Sequence, residues 1–200
     1  MQIVTISGLD GSGKSTQIEM LKNYLESQKK RVFYFHAVDF SIANKIIKST
    51  KKNSQSKSVT EANWFSIQLR KIFLKIDICR FKKLIKELEK KDYDYLVSDR
   101  YFYDTVINIE YLKIAPKARP LASQRPRLWS IPKPDLSFYL RIYPEIIMSR
   151  NRVPDQGIEY LKKKKELYEN KMNLWNMKAV DGNRDKDVIF EEIKTYVNSR

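Results

Sequence analysis

The sequence predicts an α/β fold, a parallel five-stranded sheet with helices on both faces. Three observations lead there. The run Gly8-Leu9-Asp10-Gly11-Ser12-Gly13-Lys14-Ser15-Thr16 follows directly on the apolar stretch Ile3-Val4-Thr5-Ile6-Ser7, so a phosphate-binding loop stands where a strand hands over to a helix. Short runs rich in Val, Ile, Phe and Tyr then alternate with segments of helical period, as in strands joined by crossover helices. At 200 residues without internal repeat, the chain fits one domain able to bury its own core.

Each element has its own signal. Residues 2–7 form the first strand, and residues 14–29 a helix in which Ile18, Leu21 and Leu25 recur at helical spacing. Residues 31–36, rich in Val, Phe and Tyr, form a second strand, followed by a short helix over residues 42–48 and a polar, lysine-rich loop over residues 49–60. From residue 61 to 91 the apolar positions Trp64, Ile67, Ile72, Ile76, Phe81, Leu84, Ile85 and Leu88 keep a helical period, giving one long helix or two joined by a kink. Residues 93–98 are a third strand, ending at Asp99, and residues 103–113 are helical again. Five prolines between residues 115 and 134 make that segment irregular. Residues 136–142 form a fourth strand, and Pro144 opens a short helix through Met148, where its missing N–H is not needed. After a basic interruption come a helix over residues 158–177, a short strand at Ala179 and Val180, and a last helix over residues 187–197.

Composition narrows the partners. The formal charge of +15 and pI near 9.7 favour anionic ligands, which include nucleotides, nucleic acids and membrane surfaces. Many lysines, Lys82, Lys83, Lys86, Lys90 and Lys91 among them, read as a solvated helix face. Cys79 is the only cysteine, which excludes a disulfide framework or a cysteine-built zinc site within one chain and points to a reducing, cytoplasmic compartment. No window approaches the roughly twenty apolar residues that cross a bilayer.

The phosphate loop implies a nucleoside triphosphate. Gly8 and Gly13 let the backbone curl around an anion, and Gly11 and Ser12 continue the turn, with successive N–H groups aimed inward. Lys14 reaches the β- and γ-phosphates, Ser15 ligates Mg²⁺, Thr16 continues the helix start, and the helix dipole adds positive potential. The fold is thus expected among the P-loop NTPases. Tyr95-Leu96-Val97-Ser98-Asp99 supplies the acidic residue such a loop needs for the metal. Its successor Arg100 is either a clamp for a second phosphate or an ordinary surface ion pair.

From these residues the chain resembles the thymidylate kinase family of nucleoside monophosphate kinases. The resemblance rests on Gly8 to Gln17, on Asp99-Arg100-Tyr101, on Lys133-Pro134-Asp135-Leu136 through Tyr139-Leu140 with Pro144-Glu145, and on Asp181-Gly182. It implies a single kinase domain over residues 1–200 that transfers the ATP γ-phosphate to dTMP, using Mg²⁺ and giving dTDP. By the same resemblance Arg100 holds the acceptor phosphate and Asp10 lies near the phosphates and metal. Asp104 and Thr105 stand on the acceptor side, Thr105 facing base or sugar. The family resemblance implies an arginine either in the loop or in a lid; with Gly11 and Ser12 the loop has none, so a lid near residues 150–160 must bring it. Arg150 and Arg152 match the lid arginines, or are solvated charges at a helix end. The row Lys162 to Lys165 reads as a solvated face with at most one lysine on phosphate. The family also implies a homodimer packed through helices, the long one included.

The acceptor side departs from the family. In place of an arginine-acid-proline-glycine run the chain has His36-Ala37-Val38-Asp39-Phe40-Ser41, where Asp39 keeps the acidic role or caps a helix, and His36 is a strand-end packing residue. The family's stacking phenylalanine and base-binding arginine fall, by counting from Asp99, near Phe73 and Ile78, with Asp77 beside the latter. Arg70, one turn after Phe65, is the alternative. An acceptor site offering Asp77 would favour an amino-bearing base, and Asn108 in place of a tyrosine would alter the choice between ribose and deoxyribose. Three other readings compete: a same-fold kinase for another nucleoside monophosphate, a repurposed nucleotide-binding protein, and nucleic-acid binding through Arg119, Arg125, Arg127 and Trp129, for which a solvated loop is the simpler account. A GTPase is excluded by the absence of its guanine motif.

Overall fold

The structure is a computed structural model that describes residues 1–42, 64–114, 131–150 and 154–199. All but Ile42 of the helix expected over residues 42–48, the loop over residues 49–60 and most of the proline-rich segment lie outside these residues, as do Arg119, Arg125, Arg127, Trp129 and Arg152. The five expected strands are present: β1 (Gln2–Gly8), β2 (Val32–His36), β3 (Tyr95–Asp99), β4 (Leu136–Arg141) and β5 (Lys178–Asp181). They form one sheet in the order β2-β3-β1-β4-β5, with every pairing parallel. β1 is central because it is apolar on both faces, as a strand covered on both sides must be.

Alternation along the strands sorts the core into two layers. Val4 and Ile6 face Ile18, Leu21 and Leu25 of α1 (Lys14–Ser27) and Ile189, Ile193 and Val197 of the C-terminal helix. Each such aliphatic side chain contributes about 1.5–3 kcal/mol by leaving water. Ile3 faces the larger layer, built from α3 (Trp64–Lys90), α4 (Phe102–Ile114) and α6 (Gly157–Lys171). α3 is a single helix, burying Ile67, Leu74, Ile78, Phe81 and Leu88. One turn, α2 (Ala37–Phe40), follows β2 directly, ahead of the helix expected over residues 42–48. α5 (Pro144–Met148) begins with Pro144 as expected, and α7 (Lys186–Asn198) is capped by Asp185, whose carboxylate accepts from the Asp187 amide at 2.8 Å.

One boundary differs. The helix expected through Met177 ends at Lys171, and the chain turns over residues 172–176, closing with Asn176 in the left-handed region at φ 51°. The turn brings Trp175 inward, stacked on Tyr103 with ring centroids 4.5 Å apart. A buried aromatic pair from distant parts of the chain overrides the helical periodicity.

Candidate active site

The switch from β1 to α1 makes the phosphate cradle. Gly8 has φ 152°, and a Cβ there would stand 2.9 Å from the Leu140 carbonyl oxygen on the neighbouring strand. Gly13, at φ 92°, precedes α1 as its N-cap with no side-chain cap, so the first-turn N–H groups remain available to an anion. Lys14 is buried at the base of the loop, its Nζ donating to the Leu9 carbonyl and lying 3.3 Å from Ser12 Oγ. Burial first, and then the neighbouring Arg100 charge, pull its ammonium down to about 7 against the opposing pull of Asp10, Asp104 and Asp99. A bound triphosphate supplies the negative charge that this buried cation lacks.

Ser15, at the start of α1, donates to Asp99 Oδ2 at 2.8 Å. A hydroxyl and a carboxylate side by side at a phosphate cradle fit Mg²⁺, which takes few protein oxygens and fills its shell with water and phosphate. Among the described residues there is no cluster of three or more His, Cys, Asp or Glu side chains that would suit a metal needing a full protein cage.

Beyond the cradle lies a cluster of charge centred on Asp10. Its Oδ1 accepts from Arg100, and its Oδ2 lies 3.3 Å from Tyr160 Oη and 3.5 Å from Lys164 Nζ. Partial burial raises the Asp10 carboxyl, but Lys164, Arg100 and Lys14 outweigh it and hold the group well below the usual carboxylate range. Arg100 sits at φ 64°, a left-handed conformation that costs a non-glycine residue about 1–2 kcal/mol. Burial works against its charge, and the Asp10 carboxylate more than restores it. Arg150 reaches over the same loop, Nη1 donating to the Gly11 carbonyl at 2.7 Å.

A cavity of about 200 Å³ at the loop is walled by Gly11, Gly13, Lys14, Ser15, Thr16, His36, Asp99 and Arg100. A second, of about 760 Å³, extends from Asp10, Gly11, His36 and Arg100 to a wall formed by α3 and α4. The two share Gly11, His36 and Arg100 and so adjoin at the phosphate loop. Arg70, Phe73, Leu74 and Asp77 line the larger cavity at successive turns of α3, facing Thr105 and Asn108 on α4. Arg70 and Phe73 thus share a wall, while Phe65 is 71% exposed.

Three expectations need correction. Asp104 is not on the cavity wall. Its carboxylate is drawn inward by Ser7 Oγ at 2.6 Å, the Tyr101 amide at 2.8 Å and Tyr168 Oη at 2.7 Å, where it ties β1 and α6 to the start of α4. Asp39 is also off the wall, its carboxylate 2.6 Å from His36 Nδ1 on the exposed side. Asp77 does line the cavity, but the Ile42 amide, at 3.2 Å and 3.3 Å, and Arg80, at 2.8 Å, already occupy its oxygens. An amino-bearing base would therefore compete with two existing donors.

The sequence reading missed His36, Tyr160 and Lys164 on the cavity walls. The signal for the last two was present: Tyr160, Leu161, Lys164 and Tyr168 form one buried stripe of α6, and only one of four consecutive lysines falls on it.

No helix among the described residues is long and apolar enough to cross a membrane. The family model described as Thymidylate kinase matches residues 6–193. The chain is 25% identical over 197 residues to a probable thymidylate kinase of Methanosphaera stadtmanae, covering 97% of this chain and 96% of that one. It is 29% identical over 163 residues to probable thymidylate kinase 2 of Saccharolobus solfataricus, covering 78% and 67% of the two chains. The thymidylate kinase structure from Candida albicans superposes with a TM-score of 0.68 at 20% identity, over 99% of this chain and 91% of that one, and so shares the P-loop NTPase fold. With the family model spanning residues 6–193, from the first strand into the final helix, this chain belongs to the thymidylate kinase family.

Proposed function

We propose that this chain transfers the γ-phosphoryl group of ATP to dTMP, giving ADP and dTDP. The observation that carries the reading is the shared wall of the two cavities, where Arg100 and Gly11 border both the phosphate loop and the acceptor space. Phosphoryl transfer asks a protein chiefly for alignment and charge neutralisation. Lys14 and the loop amides hold the donor phosphates, Arg100 turns from Asp10 to the acceptor phosphate, and Arg150 moves from the Gly11 carbonyl onto the transferring group. Thr105, Asn108, Arg70 and Phe73 surround the base and sugar. Ser15 and Asp99 would hold Mg²⁺, which when bound neutralises phosphate charge.

Two further points belong to this reading. The stripe Phe65, Leu69, Ile72 and Ile76 on α3 is 71%, 37%, 51% and 40% exposed, and an apolar seam of this spacing supports a homodimer packed through that helix. The exposed free thiol of Cys79 suits a reducing cytoplasm.

The test is direct. Incubated with ATP, Mg²⁺ and dTMP, the protein should form ADP and dTDP in equal amounts, and Lys14→Ala should form neither. Wild-type turnover by Lys14→Ala would contradict the assignment of the cradle.

A further inference from the structure

α6 turns Tyr160, Leu161, Lys164 and Tyr168 inward. Lys164 is only 1% exposed, and an ammonium is costly to bury unless it is paired. Its Nζ lies 3.0 Å from Tyr160 Oη and 3.5 Å from Asp10 Oδ2, and burial lowers its proton affinity while Asp10 restores part of it. Asp10 accordingly holds two cations on different oxygens, Arg100 on Oδ1 and Lys164 on Oδ2. Asp104, hydrogen-bonded to Ser7 and Tyr168, also supports both cations from further off, but Asp10 is the carboxylate in contact with them at the wall of the acceptor cavity.

We propose that Lys164 is a positioning residue for the acceptor phosphate: it remains as the fixed counter-ion of Asp10 and so releases Arg100 to the phosphate. This rests on the reading of the chain as a dTMP kinase. An acceptor phosphate draws Arg100 from Asp10, and Asp10 then faces an incoming anion. With Lys164 still in place, that carboxylate stays neutralised. Without it, Asp10 both retains Arg100 and repels the phosphate, and the two effects weaken acceptor binding together.

A double-mutant cycle read by calorimetry tests this, with dTMP, thymidine and inorganic phosphate as ligands. Lys164→Met keeps the side-chain length and the apolar contacts of the stem, and its melting temperature is recorded alongside. Lys164→Gln is the second variant if that temperature falls. The expected result is dTMP and phosphate binding about tenfold weaker in Lys164→Met, with thymidine binding and the KM for ATP unchanged. In an Asp10→Asn background the same substitution should cost no more than about twofold, because a neutral amide no longer competes for Arg100. Wild-type phosphate affinity in Lys164→Met would overturn the proposal, as would an equal loss for thymidine. A full tenfold cost in the Asp10→Asn background would also overturn it, since Lys164 would then act on the phosphate directly. Failure of the dTMP reading shows separately, as a wild-type chain that binds phosphate but not dTMP, and Lys164 is judged on the phosphate arm in either case.

Discussion

Arg100 donates through Nη2 to Oδ1 of Asp10, joining the end of β3 to the phosphate loop after β1. In this arrangement the carboxylate occupies the guanidinium that, on the proposed function, the acceptor phosphate would claim. Arg100→Ala should therefore lower kcat/KM for dTMP by about 10²–10³-fold while changing ATP affinity far less. Steady-state kinetics with each substrate varied in turn checks this, and an unchanged dependence on dTMP would remove Arg100 from the acceptor site.

Asp10 also links the site to stability. Its native carboxyl is held far below the ordinary 3.8 by Lys164, Arg100 and Lys14, which outweigh the raising effect of burial. Because the native value is depressed, the stabilisation is fully present above the ordinary value and is lost as pH falls below it toward the native one. Asp10→Asn should thus melt below wild type near neutral pH, with the gap closing only below about pH 4. Melting curves across that range check the sign, and a gap independent of pH would contradict it.

Gly8 is constrained by both its backbone angle and its neighbours. At φ 152°, with the Leu140 carbonyl oxygen 2.9 Å from any added Cβ, an alanine must displace backbone rather than a flexible side chain. Gly8→Ala should lose about 1–3 kcal/mol and weaken ATP binding. Thermal melts and nucleotide titration read both effects, and an unchanged melting temperature would contradict the account.

Arg150 reaches the loop at the Gly11 carbonyl, 2.7 Å away. If it moves onto the transferring phosphoryl group, Arg150→Ala should lower kcat by about 10²-fold or more with little change in KM for dTMP. A change confined to KM would show that it serves binding rather than the chemical step.

What was legible in the sequence was local. The phosphate loop and Asp99-Arg100 were readable because their chemistry depends on residues adjacent in the chain, and the strands because apolar runs buried on both faces leave little else for them to be. Partners brought together by tertiary folding were not readable. Asp104 turns inward to Ser7 and Tyr168, which come from the first and last thirds of the chain. Asp77 falls on the cavity wall as counting from Asp99 implied, yet only the fold shows Arg80 and Ile42 on its oxygens. Lys164 was not singled out within a row of lysines read as a solvated face with at most one member on phosphate, although the spacing of Tyr160, Leu161 and Tyr168 marked its position as buried.

The most direct measurement is the rate of ADP release from Mg²⁺-ATP with dTMP, dUMP, UMP, CMP, dCMP, AMP and GMP in turn, against a control lacking acceptor. The account predicts the highest kcat/KM for dTMP and only background release without acceptor. A higher kcat/KM for CMP, dCMP or AMP would show that Asp77 reads an amino group after all, and release independent of any acceptor would contradict the assignment as a nucleoside monophosphate kinase.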